Sequence, residues 1–400
     1  MSKQSLLVYD VGGQKFNAGA AFVSADGPAL AGSKDWSIRH RRLGGGLSAG
    51  VDLIELDNGA LSLSVVPTRG MGIWKGEYKG LPLGWQSPVR QVVNPAFVEL
   101  GDRGGLGWLA GFNEWICRCG LAFNGPPGED VLYDRDGREI ARTPITLHGK
   151  IANRPAHHVE LEVDDAGEGT LVVTGVVDET SLFGPCLRLE SRLETTAGSN
   201  RFRIVDTVTN LGGQPAELEL LYHTNIGRPF LEPAAQLVAP AIEVFPRDAR
   251  AAEGAGHWNT YNAPETGYAE QAYFLKLASD AEQETEVLLR NAAGETGLSL
   301  SFNVNQLPFF TLWKNTAAEA DGYVTGLEPA TNLPNFKTFE REQGRVILLG
   351  AGEKYESRLD IAIFDTKAAV SQAEERIRRI QNAKETTVHD SPQKGMSPAS

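Results

Sequence analysis

The chain has 400 residues, of which 41% are apolar and 22% charged, values typical of a globular protein with a large core. Its formal net charge of −13 gives no attraction to nucleic-acid phosphates or anionic lipid. The chain has three cysteines, an odd and small number that argues against a disulfide framework. It contains no run of 18 consecutive apolar residues, so we predict no membrane-spanning helix. We therefore expect a cytoplasmic enzyme or binding protein without nucleic-acid or membrane partners.

Short runs of alternating apolar and polar residues, separated by Gly, Asn and Asp, recur from about residue 50 to 365. One run is VDLIELDNGALSLSVVPT, which begins at Val51, and another is CLRLESRLETTAGSNRFRIVDTVTN, which begins at Cys186. Alternation with turn residues predicts half-buried antiparallel strands joined by hairpins. Because strands do not alternate regularly with helices, the predicted fold class is all-β, a large antiparallel β-sandwich.

Composition divides the chain into four parts. Residues 1–45 are rich in Gly and are expected to wrap the edge of the sandwich, which occupies residues 46–366 as the catalytic domain. Residues 367–383 predict a C-terminal helix, because their apolar side chains fall on one helical stripe. The stripe consists of Ala369, Val370, Ala373, Ile377 and Ile380. Residues 384–400 are polar and rich in Pro and Ser, so we expect disorder there.

A histidine interrupts the predicted strand ELELLYHTNIGRPFL, which runs from Glu217 to Leu231. His223 shares a strand face with Asn225, and Arg228 follows in a Gly-Pro loop that ends the strand. Binding residues concentrate at such strand ends. A lone histidine is more often a packed core residue, but its polar neighbours favour a site.

Three further segments offer polar groups to the same site. In TPITLHGKIANRPA, His148 and Lys150 share one face of a predicted short strand, and Gly149 leaves space beside the ring. Glu328 lies in GLEPATNLPN, where burying a carboxylate is costly unless it is paired or used. Arg69, in VVPTRGMG, carries a donor fork suited to oxygen-rich ligands. Each of the three is also compatible with an ordinary surface position.

These segments, in this order, resemble the aldose 1-epimerase (galactose mutarotase-like) family, most closely a divergent branch of it. The likeness spans roughly residues 60 to 365. It is carried by VVPTRGMGIWKG, TLHGKIANRPA, LLYHTNIGRPFL, FFTLWKN and GLEPATNLPN. The resemblance implies a large antiparallel β-sandwich with a sugar site in an open cleft.

The resemblance also implies roles for matching residues. The family's general acid is a strand histidine, which His223 resembles, and its general base is a late glutamate, which Glu328 resembles. His148 and Arg69 resemble residues that hold the sugar. The family's aspartate that binds sugar hydroxyls has no match, and we expect its replacement between Tyr261 and Tyr273.

Further residues are expected to bind the substrate. Asn225 and Arg228 would shape the site around His223, and Lys314 lies in the FFTLWKN stretch. Scattered tryptophans are usually core residues, but Trp115 is one that could supply an aromatic surface for a sugar. The basic residues Arg69, Lys150, Arg228 and Lys314 would favour an acidic, sulfonated or phosphorylated sugar.

The residue types suit the interconversion of α and β anomers. Opening a cyclic hemiacetal requires a proton delivered to the ring oxygen and another removed from the anomeric hydroxyl. Histidine titrates near neutral pH and can donate, and a carboxylate can accept. We therefore expect a cofactor-free isomerase with a small-molecule carbohydrate as its substrate, requiring no metal.

Two alternatives use the same sandwich. A non-catalytic carbohydrate-binding protein needs aromatic rings and hydrogen bonds, but no acid–base pair. A metal-dependent sugar isomerase or lyase would use His148, His223 and an acidic residue as ligands of a divalent ion. The spacing of these histidines is not a local ligand motif, so the acid–base hypothesis is favoured.

Overall fold

The computed structural model describes residues 3–134 and 136–399. Its strands, in chain order, are β1 (Lys3–Asp10), β2 (Lys15–Phe16), β3 (Ala21–Val23), β4 (Ser37–Arg42), β5 (Asp52–Asp57), β6 (Leu61–Val66), β7 (Gly72–Tyr78), β8 (Leu81–Leu83), β9 (Ile116–Cys119), β10 (Gly128–Tyr133), β11 (Glu139–Ile145), β12 (His158–Asp164), β13 (Thr170–Thr180), β14 (Cys186–Thr196), β15 (Arg201–Asn210), β16 (Ala216–Leu218), β17 (Leu221–Ile226), β18 (Gln236–Val238), β19 (Ala241–Pro246), β20 (Gln271–Leu277), β21 (Glu284–Arg290), β22 (Gly297–Asn303), β23 (Phe309–Asn315), β24 (Val324–Ala330), β25 (Ile347–Leu349), β26 (Lys354–Phe364) and β27 (Thr387–Val388). The helices are α1 (Asp102–Gly105), α2 (Ala249–Ala252), α3 (Lys337–Glu342) and α4 (Lys367–Gln381). None of these helices is both long and apolar enough to span a membrane.

Two large sheets form the architecture. One has ten strands in the order β18-β21-β22-β26-β15-β14-β13-β12-β1-β2. The other has thirteen, in the order β27-β19-β20-β23-β24-β17-β9-β7-β6-β5-β4-β3, with β8 beside β7. Among the described residues, paired strands run antiparallel except β27, which joins β19 in parallel. The predicted all-β sandwich is confirmed.

The main apolar core fills the space between the sheets, because alternate residues of each strand point inward. On β17, Tyr222 and Ile226 belong to this core, as does Leu327 on β24. Leu221 and Ala330, on the same two strands, belong to a separate apolar cluster on the opposite face. The outer face of the thirteen-stranded sheet therefore carries buried residues of its own.

The terminal segments complete the sandwich. Strand β1 pairs with β12 and strand β4 pairs with β5, so residues 3–45 supply edge strands to both sheets. Helix α4 confirms the predicted C-terminal helix. Its residues Val370, Ala373 and Ile377 pack against Leu288 and Phe364.

Residues 384–399, for which we expected disorder, lie instead along the thirteen-stranded sheet. Strand β27 extends this sheet beyond β19, and the ring of His389 stacks on Phe245 with centroids 4.5 Å apart. The hydroxyl of Thr386 donates to the carbonyl of Ala241 at 2.7 Å. Backbone pairing and polar contacts hold the segment, and such contacts leave no hydrophobic pattern in the sequence. Its polar composition therefore gave no basis for predicting order.

Candidate active site

A cavity of about 740 Å³ opens on the outer face of the thirteen-stranded sheet. Its base is formed by alternate residues of four neighbouring strands: His223, Ala272, Thr311, Trp313, Asn315 and Glu328. Loops and short helical turns form the walls and contribute Trp85, Ser87, Pro88, Val89, Arg103, Leu106, Trp108, Leu109, Phe112, Pro126, Pro127, Leu147, His148, Arg247, Tyr268, Glu270, Asp321 and Pro334. The lining is rich in aromatic and apolar side chains with a few polar groups, as is usual for small-molecule sites.

The base of the cavity brings His223 and Glu328 into contact. The register that pairs Leu221 with Ala330, and Thr224 with Leu327, places the two residues opposite each other on β17 and β24. The Nε2 atom of His223 lies 3.2 Å from Oε1 of Glu328. The side chains are only 6% and 4% exposed. Directly opposed positions on adjacent strands bring side chains together, so sheet register explains how these distant residues meet.

A glycine makes this contact possible. Gly326 lies two positions before Glu328, on the same strand face, beside Trp313 on β23. A Cβ atom at position 326 would lie 2.4 Å from Oε1 of Glu328 and 3.2 Å from Cε1 of His223. Because no side chain fits without displacing the carboxylate, Gly326 belongs to the site as space for the other two residues.

Burial shifts the pKa values of the pair in opposite directions. Loss of water raises the pKa of Glu328 well above its ordinary 4.5, and the charge of Glu270 adds to this while Arg247 opposes it. Loss of water lowers the pKa of His223 well below its ordinary 6.5, helped by the neighbouring His148. Both shifts disfavour the charged forms of the two groups.

Two polar atoms of the pair are buried without a hydrogen-bond partner in the described part of the chain. Among the described residues, neither Oε1 of Glu328 nor Nδ1 of His223 has a hydrogen-bond partner. The 3.2 Å contact between the residues therefore brings the atoms close without the alignment of a hydrogen bond. Buried polar atoms without partners are rare in folded proteins and are costly, so their presence at a cavity indicates a binding role.

His148 lies in a turn after β11, not on the short strand that we expected. Its φ is +58°, and its Nδ1 lies 2.7 Å from the carbonyl oxygen of Asn124. Nδ1–H therefore donates to this carbonyl, which leaves Nε2 as an acceptor. Burial lowers the pKa of His148 to about 4, so the ring is neutral. At Gly149, φ is +70° and a Cβ would lie 2.2 Å from the carbonyl oxygen of Phe123, so only glycine fits the turn.

A chain of polar contacts that the sequence did not predict lies beside the pair. The guanidinium of Arg247 donates to Glu270 at 3.0 Å, and Glu270 accepts a further hydrogen bond from the indole N–H of Trp313. The Trp313 ring centroid lies 5.4 Å from that of His223. Glu270 falls between Tyr261 and Tyr273, where we expected a replacement for the family's aspartate. Glu270 follows a loop, and nothing else in the sequence around it indicated a site residue.

Aromatic rings enclose the pair on another side. Trp108 and Phe112 have ring centroids 4.6 Å apart, and the Phe112 centroid lies 5.1 Å from that of His223. Trp85 packs against Phe112 at 5.1 Å. These rings exclude water from the histidine, which is the physical origin of its lowered pKa.

Three of the predicted substrate-binding residues do not line the cavity. Arg69 is fully buried and forms an ion pair with Glu114. Trp115 lies in the core between the sheets, with its ring centroid 5.5 Å from that of Phe202. Asn225 donates to the carbonyl of Glu114 at 3.0 Å. All three contact other protein groups, and none of them lines the cavity.

Two other predicted residues also lie elsewhere. Arg228 is half exposed and pairs with Glu319 at 2.6 Å. Lys314 donates to two backbone carbonyls, at 2.7 and 3.0 Å, on the other face of β23. Side chains alternate along a strand, so Trp313 and Asn315 line the cavity while Lys314 cannot. Lys314, which we expected to bind the substrate, therefore does not line the cavity.

The charged lining differs from the basic set that we expected. Arg103 and Arg247 line the cavity, but so do Glu270 and Asp321, and no excess of positive charge results. Within residues 3–134 and 136–399, no three His, Cys, Asp or Glu side chains are grouped as a metal ion would require.

Comparison with known proteins finds one family model and several solved structures that resemble this chain. A family model described as "Domain of unknown function (DUF4432)" matches residues 48–363. A "putative aldose 1-epimerase" from Klebsiella pneumoniae has a solved structure that is 32% identical, with a TM-score of 0.90, over 98% of this chain and 99% of that one. No curated protein matches the chain.

More distant structures share the fold. A galactose mutarotase-like protein from Clostridium acetobutylicum is 15% identical over 84% of this chain and 100% of that one, with a TM-score of 0.58. The galactose 1-epimerase from Lactobacillus acidophilus is 12% identical over 82% of this chain and 99% of that one, with a TM-score of 0.53. At such identities the likeness concerns the architecture alone.

Proposed function

The chain belongs to the DUF4432 family, a divergent branch of the aldose 1-epimerase (galactose mutarotase-like) proteins, and we propose that it is a cofactor-free aldose 1-epimerase. It would interconvert the α and β anomers of a free sugar or sugar derivative. The observation that carries the proposal is the contact between His223 and Glu328, 3.2 Å apart at the base of a cavity of about 740 Å³. A module that only binds sugars has no use for this pair.

The proposed reaction moves two protons and breaks one bond. The carboxylate of Glu328 removes the proton of the anomeric hydroxyl, and the imidazolium of His223 donates a proton to the ring oxygen as its bond to C1 breaks. The product is the open-chain aldehyde, with the pair now neutral. After rotation about the C1–C2 bond, His223 takes back the proton as the ring oxygen attacks C1. Glu328 returns its proton to the new anomeric hydroxyl.

The pKa shifts assist both transfers. The raised pKa of Glu328 makes it a stronger base, and the lowered pKa of His223 makes its protonated form a stronger acid. The imidazolium–carboxylate and imidazole–carboxylic acid states differ only in the position of one proton. Burial favours the uncharged imidazole–carboxylic acid state more than water does, so it assists ring opening, which leaves the pair in that state.

Neighbouring residues would hold the sugar. The unprotonated Nε2 of His148 can accept a hydrogen bond from a sugar hydroxyl. Glu270 and Arg247 offer acceptors and donors to further hydroxyls, and the ring of Trp313 offers an apolar surface to a sugar face. Together these groups would orient the anomeric carbon above His223 and Glu328.

Exchange between anomers, followed by NMR across a panel of free sugars, tests the proposal. The wild-type protein should accelerate exchange for at least one sugar, and Glu328→Gln should abolish the acceleration. Glu190→Gln, on an exposed strand position, is the matched control and should behave as the wild type. Full exchange in Glu328→Gln would refute the proposed role of the pair.

The same assay separates the alternatives. A carbohydrate-binding protein without activity would show binding by line broadening, but no accelerated exchange in the wild type. A metal-dependent enzyme would lose its activity on chelation. Under our proposal the activity survives treatment with EDTA.

A further inference from the structure

The C-terminal segment crosses the outer face of the thirteen-stranded sheet next to the cavity. We call residues 395–397 the strap. Met396 packs in an apolar cluster with Phe245 and Phe274. These phenylalanines lie two positions from Arg247 and Ala272, which line the cavity. Residues two apart share a strand face, so the strap covers the sheet surface immediately beside the proposed sugar site.

One strap residue holds the polar wall of the cavity. The hydroxyl of Ser397, which is buried, donates to the carbonyl of Arg247. The backbone N–H of Arg247 donates to the carbonyl of Ala272 at 2.9 Å. The main chain of Arg247 is thereby fixed from both sides. Its guanidinium then holds Glu270, which in turn accepts from the indole of Trp313.

A second strap residue holds another part of the wall. The carbonyl of Met396 accepts from the side-chain amide of Asn335 at 3.0 Å. Asn335 follows Pro334, a residue that lines the cavity. The carbonyl of the preceding Gly395 accepts from Arg345 at 2.6 Å, which anchors the start of the strap. Each of the three strap residues therefore makes a polar contact, and two of those contacts reach segments that form the cavity wall.

We propose that Met396 and Ser397 are positioning residues for substrate binding. They do not line the cavity themselves, and they act through Arg247 and Pro334. The polar contacts of the strap go to Arg247, Asn335 and Arg345, whereas His223 and Glu328 are held by the central strands β17 and β24. The inference rests on the proposed function, because it assigns the strap to the sugar-binding wall and not to the acid–base pair.

Loosening the strap should therefore weaken binding and spare the chemical step. Loss of interactions made equally to the substrate and to the transition state raises KM and leaves kcat unchanged. Disordering the hydrogen bonds that Arg247 and Glu270 make with a sugar should raise KM by about tenfold. A strap with only a structural role would lower the melting temperature, but it would not raise KM while leaving kcat unchanged.

Two variants test the strap, with one control. A chain ending at Asp390 keeps β27 and removes the strap, and the double variant Met396→Asp/Ser397→Ala detaches it in the full-length chain. Lys394→Ala changes an exposed neighbour and is the matched control. The readouts are KM and kcat for anomer exchange, and hydrogen exchange of residues 244–248 and 268–274.

The expected result is a KM raised by about tenfold with kcat unchanged, and faster hydrogen exchange in both segments. Should the truncated chain fail to fold, the double variant gives the answer. An unchanged KM, or a fall in kcat alone, would overturn the inference. If the wild type shows no anomer exchange, the proposed function fails, and the hydrogen-exchange readout still decides whether the strap holds the wall.

Discussion

Two clusters of buried polar groups lie on opposite faces of strand β17, and they differ in how completely their hydrogen bonds are satisfied. Between the sheets, Asp206 accepts from the guanidinium of Arg118 at 2.9 Å and from the hydroxyl of Tyr222 at 2.8 Å. On the outer face, His223 and Glu328 lie 3.2 Å apart. Each of these two keeps an atom without a hydrogen-bond partner among the described residues.

The difference separates a structural cluster from a functional one, although Tyr222 and His223 are neighbours in the chain. A fully bonded buried network rigidifies the fold and has nothing left to offer a ligand. An incompletely bonded pair at a cavity has shifted pKa values and unpartnered polar atoms, and shifted pKa values are common at acid–base sites. Removing a group from each cluster should therefore have opposite consequences.

Glu328→Gln should remove activity and spare stability. General acid–base groups typically contribute about a hundredfold to ten-thousandfold to a rate, so the loss should fall in that range. Glutamine has nearly the same shape as the protonated carboxyl that burial favours, so the melting temperature should not fall. Anomer exchange and thermal unfolding of the same preparation measure both effects. A strongly destabilised variant would show that the pair is structural.

Asp206→Asn should do the reverse. It leaves the Arg118 guanidinium buried without its counter-charge, which typically costs about 3–5 kcal/mol of unfolding free energy. Asp178→Asn, which breaks the half-exposed pair with Arg188 at 2.8 Å, is the matched control and should cost about 1 kcal/mol or less. Urea titration measures both values, and the folded fraction of Asp206→Asn should keep its kcat. Equal losses in the two variants would contradict the comparison.

Gly326→Ala should damage the outer cluster without removing any of its groups. The added methyl would lie 2.4 Å from Oε1 of Glu328 and must displace it. A displacement of about 1 Å at a reacting group can cost about a hundredfold in rate. Gly213→Ala, at a position with open space around it, is the control and should leave the rate unchanged. Steady-state exchange kinetics of the two variants decide this, and equal rates would count against the assigned role of Gly326.

The pH dependence of stability should show the raised pKa of Glu328. The unfolded chain ionises this residue near 4.5, whereas the folded chain keeps its proton to higher pH. The folded state binds more protons in that window, so stability falls as pH rises through it, by up to about 1.4 kcal/mol per pH unit. Glu328→Gln lacks this loss. The unfolding free energy of Glu328→Gln minus that of the wild type should therefore rise with pH above 4.5 and stay level below it. A difference that does not change with pH would contradict the raised pKa of Glu328.

The sequence predicted the parts of the site that depend on strand alternation and on recognisable short motifs. His223 and Glu328 each lie on an alternating strand, and their motifs resemble those of a known family. Direct opposition in the sheet then brings them together. The all-β fold and the helix α4 followed from periodicity for the same reason.

Other parts depended on information that alternation does not carry. Arg69 and Trp115 have the chemistry of sugar-binding residues, but partners from distant segments engage them, and neither lines the cavity. Lys314 was expected to bind the substrate, but its side chain lies on the face of β23 opposite to Trp313 and Asn315, and nothing local in the sequence fixed the phase of that strand. Glu270 and Arg247 enter the site from loops, whose course is set by tertiary contacts, including those of the C-terminal segment.

His223 and Glu328 are proposed to act as one unit that shares a proton. Anomer exchange of His223→Asn, Glu328→Gln and the double variant tests this most directly. Because ring opening needs one proton delivered and another removed, the double variant should be no slower than either single variant. Losses that multiply in the double variant would show that the two residues act independently, and would contradict the proposed mechanism.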